Sequence, residues 1–415
     1  MKLEGWRQIS LNEVIQKGEI QLGRGNIISS IDIASYPGSY PIYSSSARGS
    51  GEFGRYSYFM FDEELITWSI DGGGKFFYRP RHKFSVTNVC GYMRVDISKW
   101  NPLFVYYLLD LQHENISFDY QTKAHPSVIK RLYYLIDISI KEQEQIAAIL
   151  STIDRAIAQT EAIIAKQQRI KTGLMQDLLT KGIDEHGNIR SEVTHKFKDS
   201  PLGRIPIEWE ILSLSECANR VIVGLASSTT HAYRDNGIPL IRNQNIRRGY
   251  FEDREMLFLD PNFMASFPNK VTNRDDVLTV RTGSNVGDTT LVPEKYVNCP
   301  TFTTLITSTK KNILFPNYLV WYVASFLGQL ELNRILVGAG KENLNVSQFV
   351  NFRVLLPTIN EQHLIVKKLD SIQSIYEDEK NQLAKYKKVK NGLMQDLLTG
   401  KVRVTELLKE REPAI

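Results

Sequence analysis

Cysteine is scarce. Cys90, Cys217 and Cys299 are the only three in 415 residues; they are odd in number, far apart and without a CxxC pair. No disulfide framework or zinc knuckle is expected, and a reducing cytoplasm is the expected compartment. No run of 18 or more apolar residues occurs, and the opening MKLEGWRQISLNEV has no long apolar core, which argues against membrane spanning and secretion. An excess of one charge is also missing: 51 Lys+Arg against 46 Asp+Glu leave +5, which permits a nucleic-acid partner without announcing one. Catalytic signatures are absent as well. There is no GxxxxGK[ST] loop, no HExxH and no Asn-Pro-Pro-Tyr or Asp-Pro-Pro-Tyr, and the seven His do not cluster. A formal GxGxxG at 49–54 follows a Ser-rich loop and precedes Arg55-Tyr-Ser-Tyr-Phe rather than a helix, so it lacks the context of a dinucleotide site. The triplet Asp378-Glu-Lys380 falls in a helical, mixed-charge stretch and reads as a solvated face. What remains is an ordinary globular composition, 42% hydrophobic and 23% charged, with length for about two to four domains.

What is present is a duplication. GLMQDLLT occurs at 173–180 and again at 392–399, an offset of 219 residues. The same ungapped offset pairs Glu142-Gln143 with Glu361-Gln362, Ile146 with Ile365, Leu150 with Leu369, Ile153 with Ile372 and Lys171 with Lys390. Apolar residues recur at spacings of three, four and seven through both copies, which predicts two amphipathic helices of about forty residues, roughly 55 to 60 Å long. Each opens on a start signal, Ser139-Ile-Lys-Glu142 or Thr358-Ile-Asn-Glu361, in which hydroxyl and carboxylate can satisfy backbone N–H groups reciprocally. Each ends near a glycine, Gly182 or Gly400. Rods this long need a partner, and connectivity makes the pair antiparallel, with Ile146, Leu150, Ile153, Ile372 and Leu383 expected in the seam.

Weaker echoes, Trp6 with Trp209 and the aromatic stretch 101–109 with 315–323, extend the repeat into the globular parts. The expected fold is α+β: two globular domains separated by two long helices in an antiparallel coiled coil, related by a pseudo-two-fold internal repeat. The expected parts are a globule at 1–138, a helical spacer at 139–182, a polar linker at 183–204, a second globule at 205–357, a second spacer at 358–400 and a tail at 401–415. Short apolar-polar alternations broken by Gly, Ser and Pro predict a curved, mostly antiparallel sheet in each globule.

The globule loops carry side chains suited to DNA: Arg for guanine edges, Asn and Gln for adenine, Ser and Lys for phosphates. The first globule offers Arg48, Trp68, Lys75, Arg79, Arg81 and Lys123. The second offers Arg242, Asn243, Gln244, Asn245, Arg247, Arg281, Ser284, Asn285, Lys341, Asn343 and Asn345. On the rods, Met175, Leu178, Met394 and Leu397 serve either the seam or a partner subunit. Gly173 and Gly392, each costing about 1 kcal/mol inside a helix relative to Ala, suggest a close approach of another helix or a local bend.

The order of Trp6 globule, Glu142-Gln143 rod, GLMQDLLT, then LGRIPIEW at 202–209 opening a second globule and rod, resembles the specificity subunit of type I restriction-modification systems. DVLTVRTGS at 276–284 is similar to a target-recognition strand and loop of that family. The resemblance implies a subunit without catalysis of its own, whose two target recognition domains read the halves of a bipartite asymmetric site. It implies helices that set the spacer and dock two modification subunits, and restriction subunits that join the same core. It implies no cofactor on this chain, with S-adenosylmethionine, ATP and Mg in the partner subunits. The rival readings are an adaptor whose globules bind protein or glycan, and a stand-alone DNA enzyme with an unrecognised active site.

Overall fold

The computed structural model describes residues 6–46, 49–118, 123–337 and 343–405. The chain divides into two compact units, one of residues 1–162 with 381–415, the other of residues 163–380. Both cuts fall inside the long helices, Ile140–Thr180 and Ile359–Leu398, of 41 and 40 residues.

In the first unit a six-stranded sheet runs in the order Ile20–Arg24, Cys90–Val95, Phe61–Ser69, Phe76–Val86, Tyr40–Tyr43, Glu52–Tyr56. Every pairing is antiparallel except that of Tyr40–Tyr43 with Phe76–Val86. The Gly49–Gly54 stretch runs into the strand Glu52–Tyr56 and not into a helix. The aromatic helix Pro102–His113 starts where Asn101 accepts a hydrogen bond from the Phe104 N–H, with Pro at its first position. A separate strand pair, Arg7–Ser10 with Tyr134–Asp137, closes the unit just before the first long helix.

The second unit repeats this plan on a different sheet. Its four strands run Ala218–Val223, Thr304–Thr309, Val277–Val280, Thr289–Leu291, all antiparallel. The aromatic helix is Pro316–Ala324, and the closing pair Glu210–Ser213 with Arg353–Leu356 precedes the second long helix. Within residues 183–204, expected as a polar linker, Ile183 is buried and Phe197–Lys198 pairs with Ile205–Pro206.

The helix ends also enter the globular cores, so that each core takes residues from both long helices. The first core takes Ile146 and Leu150 from one helix start, with Met394, Leu397 and Leu398 from the other helix end. The second takes Ile365 and Leu369 with Leu178 and Leu179, the residues 219 positions away. An apolar stripe that meets a larger apolar surface buries there first, because the gain scales with area removed from water. Leu178, Met394 and Leu397 are thus interior residues, and Met175 is half-buried against the second core. Pairing of the helices is antiparallel, seen in the first unit from the ion pairs Asp154–Lys390 and Glu161–Lys387, both 2.8 Å.

The Glu-Gln starts are duplicated clamps. Gln143, 1% exposed, accepts from the Asn101 N–H at 2.9 Å and donates to the carbonyls of Ile138 and Lys99 at 2.9 and 3.2 Å. Gln362, 0% exposed, accepts from Phe315 N–H at 2.8 Å and donates to Pro357 and Ile313 at 3.0 and 2.8 Å. Each glutamine therefore joins the start of the aromatic helix to the start of the long helix. The expected capping box is half right. Ser139 and Thr358 accept from the N–H of Glu142 and Glu361 at 3.3 Å. The carboxylates turn away to arginines beyond the other helix's end: Glu142 to Arg403 at 2.7 and 2.9 Å, and Glu361 to Arg190. A guanidinium offers a bidentate, charged partner, which outweighs one neutral N–H.

Candidate nucleic-acid interface

The loop residues sort into exposed cations and structural polar groups. In the first unit, Lys75 stands at the base of a hairpin whose Gly73 and Gly74 have φ of +87° and +81°. It is exposed, with its ammonium 5.3 Å from the Phe77 ring centre. Arg81 is exposed and pairs loosely with Asp62 at 3.6 Å. Lys123 pairs with Asp71 at 3.0 Å.

Trp68 and Arg79 are corrections. Trp68 is 0% exposed, inside the first core, donating its indole N–H to the Ala124 carbonyl at 2.7 Å; it has no surface to offer a base. Arg79, 6% exposed, lies 3.5 Å over the Tyr43 ring and donates to Thr67 Oγ1 at 3.0 Å and the Ser50 carbonyl at 2.8 Å. It braces the sheet rather than facing outward. Strand alternation places both side chains inside, and no loop intervenes to turn them out. Arg48 and Lys341 lie outside the described residues.

In the second unit the structure gathers several candidates into one network. Asn243 accepts from Thr304 Oγ1 at 3.0 Å and donates to Thr282 Oγ1 at 3.1 Å, while Asn285 reaches the Asn243 carbonyl at 3.4 Å. Arg281 donates to Asn345 Oδ1 at 2.9 Å, and Asn345 also caps the short helix Val346–Phe349. Arg242 donates to the Glu255 carbonyl, and Gln244 reaches the Glu255 carboxylate at 3.5 Å. The Nε atoms of Arg242 and Arg281 are buried without a partner among the described residues. Ser284 and Asn343 are exposed. Asn245 is another correction. It is buried, accepting from Arg242 N–H at 3.0 Å and donating to the carbonyls of Glu252 and Arg254 at 3.0 and 2.9 Å, so its amide is spent on the turn. Arg247 is paired with Glu252 at 2.8 Å.

Among the described residues no group of three or more His, Cys, Asp or Glu is placed to hold a metal. Burial pushes the thiols of Cys90 and Cys217 up to about 12, leaving them neutral and inert. Among the described residues no helix is long and apolar enough to cross a membrane.

Sequence reasoning missed the arginines Arg190 and Arg403. Each follows a helix-end glycine, but eight residues after Gly182 in one copy and three after Gly400 in the other, so an ungapped offset hides the match. Gly173 and Gly392, expected at a close helix approach, have open space around them: a Cβ at either meets nothing within 4 Å.

Comparison with known proteins agrees with this duplicated architecture. A family model described as the type I restriction modification DNA specificity domain matches twice, at residues 3–168 and 206–386. The chain is 25% identical over 355 residues to the type I restriction enzyme MjaVIII specificity subunit of Methanocaldococcus jannaschii, covering 83% of this chain and 80% of the relative. A putative MjaX specificity subunit of the same organism is 26% identical, over 75% of this chain and 71% of the relative. The crystal structure of a type I restriction-modification S subunit from M. genitalium superposes with a TM-score of 0.62 at 16% identity, covering 96% of this chain and 98% of that one, which shows a shared fold. On its two matched regions and its duplicated fold, the chain belongs to the type I restriction-modification specificity subunits, whose role is non-catalytic.

Proposed function

We propose that this chain reads a bipartite, asymmetric DNA site, one half with each globular domain, and that its helices set the spacing and dock two modification subunits. Restriction subunits join that complex. S-adenosylmethionine, ATP and Mg are bound by those partners, and this chain binds none of them. The observation that carries the reading is the duplication of the clamp: Gln143 and Gln362 join equivalent helix starts in two units whose sheets differ. Two similar frames holding dissimilar sheets is the arrangement expected of a reader whose two half-sites have different sequences.

Exposed Lys75 and Arg81 in the first unit, and Arg281, Ser284, Asn285 and Asn343 in the second, are the residues proposed to face DNA. The open sides of Gly173 and Gly392 are proposed to admit a helix of the modification subunit, because a glycine lets backbones approach closely. The test is to combine the chain with its modification subunits and map methylated adenines in a library of duplexes. Methylation of one split motif with a constant spacer is expected. A single contiguous motif, or methylation independent of this chain, overturns the reading. Binding of the chain to duplex DNA should also weaken steeply with salt while keeping its preference for that motif.

A further inference from the structure

The repeat places two lysines in matching positions with different surroundings. In the first unit Lys390 lies 5.6 Å from the Tyr107 ring centre and pairs with Asp154 at 2.8 Å. The Tyr107 hydroxyl donates to the same Asp154 at 2.7 Å. Burial pushes the carboxyl of Asp110, one turn further along the aromatic helix, above the ordinary carboxylate range, and the nearby Lys390 charge opposes that shift. Lys390 thus has two carboxylates within its field.

In the second unit the offset of 219 residues matches Lys390 with Lys171 and Asp154 with Gln373. Alignment of the two aromatic helices on Pro102 and Pro316 matches Tyr106 with Val320, Tyr107 with Trp321, and Asp110 with Ala324. The aromatic contact is kept, with Lys171 5.5 Å from the Trp321 ring and 5.6 Å from that of Tyr376. Both carboxylates are gone. The Trp321 indole donates to Asp370 at 2.8 Å, on a different turn of the long helix, and Lys171 has no ion pair among the described residues. Val320 and Ala324, which stand where the first unit has Tyr106 and Asp110, line a cavity of about 300 Å³ together with Lys171, Met175, Tyr250, Trp321 and Gln373 among others. Burial holds the Lys171 ammonium below the usual lysine range, an effect that the charge of Glu377, itself paired with Lys380 at 3.1 Å, only partly offsets. The Gln373 Oε1 atom is buried without a partner, while its Nε2 donates to Glu377 at 2.9 Å.

A half-buried ammonium without a direct ion pair among the described residues and an orphaned amide oxygen are both costly, and each is satisfied by a group of definite chemistry. The ammonium calls for a carboxylate and the amide oxygen for a donor. We propose that this cavity binds a small carboxylate carrying an adjacent hydroxyl or amino group, an α-hydroxy or α-amino acid. Its carboxylate takes the place that Asp154 and Asp110 hold around Lys390, its donor meets Gln373 Oε1, and its apolar remainder lies against Met175, Val320 and Trp321. The volume is at the small end of ligand sites, which matches a compact molecule. This inference stands apart from DNA reading.

The full chain is titrated with lactate and with acetate at constant ionic strength, with heat of binding and melting temperature as readouts. Lactate is expected to give a saturable single-site response and a rise in melting temperature, with acetate weaker because it lacks the donor. Lys171→Met removes the cation and should abolish the response. Ala324→Asp restores the internal carboxylate of the first unit, so the response should vanish while the protein melts no lower than the parent. Absence of a saturable lactate response in the parent chain, or its persistence in either variant, overturns the proposal; Ala324→Asp keeps the test decisive if Lys171→Met folds poorly.

Discussion

Glu142, in the first turn of one long helix, grips Arg403, beyond the end of the other, through hydrogen bonds of 2.7 and 2.9 Å across 261 residues of sequence. Glu361 and Arg190 make the corresponding pair in the second unit, where Glu361 also accepts from the Ile183 N–H at 2.9 Å and the Trp209 indole at 3.3 Å. In each unit the start of one helix is tied to the end of the other. The antiparallel pairing is therefore specified by polar contacts at the helix ends, with apolar burial beside them.

Removing a clamp glutamine should cost more than an ordinary hydrogen-bond deletion. Gln143→Ala strands a backbone N–H and two carbonyls in a dry site, at about 1–3 kcal/mol for each group left unsatisfied. Gln362→Ala should match it, and urea unfolding of each variant measures the loss. Equality with an exposed substitution such as Gln176→Ala would show the clamp to be energetically idle.

Glu331 should make the chain sensitive to acid. Burial alone would raise its carboxyl, but hydrogen bonds from Arg353 and Arg334 outweigh burial and hold it at about 2, below the 4.5 of an unperturbed Glu. A depressed folded value means that the stabilisation is complete above about 4.5 and is lost as pH falls towards 2. Glu331→Gln should flatten the acid limb of a stability–pH curve in that window. It should also cost about 3 kcal/mol at neutral pH, because two guanidiniums lose their counter-ion. An unaltered acid limb would assign the sensitivity to other carboxylates.

The two glycines at each helix end should respond in opposite ways. Gly182 and Gly400 have φ of +67° and +75°, and an added Cβ would sit 2.4 Å from the Trp209 ring or 2.7 Å from that of Trp6. Alanine at either is expected to destabilise by about 1–3 kcal/mol. Alanine at Gly173 or Gly392 meets only open space and should stabilise the isolated chain by about 1 kcal/mol. Gly173→Leu should weaken co-purification with the modification subunit while leaving the chain folded; unchanged co-purification removes that face from the proposed docking surface.

Residues proposed to face DNA and structural polar residues are separable by their salt dependence. Lys75→Ala and Arg81→Ala should weaken binding to all sequences alike, each lowering the salt slope by about 1 if it meets a phosphate. Arg281→Ala should relax preference at one position of one half-site, and uniform weakening would reassign it to the backbone. Asn245→Ala should lower the melting temperature, because its buried amide holds the turn.

Local pattern carried much of this in the sequence. The amphipathic period, the identical GLMQDLLT segments and the repeated Glu-Gln starts predict helices that the structure bounds at Ile140–Thr180 and Ile359–Leu398. The aromatic stretches predict helices that begin at Pro102 and Pro316. Strand alternation predicts a mostly antiparallel sheet in each globule but not which residues at the loop margins point inward. Trp68 and Arg79 read as loop polar chemistry and proved to be interior groups, since their partners Ala124 and Ser50 come from segments that sequence spacing does not bring together.

The sequence by itself determined the duplication, the length of the helices and their antiparallel sense, because helix period, end signals and chain connectivity are all local properties. Tertiary structure alone decided what each repeated residue does. The Glu of a start signal caps nothing once an arginine arrives from 261 residues away, Leu178 and Leu397 lie in larger apolar cores, and Lys171 keeps its aromatic partner but lacks the ion pair that Asp154 gives Lys390. Burial and charge pairing are set by neighbours in space, and a one-dimensional repeat holds no record of them.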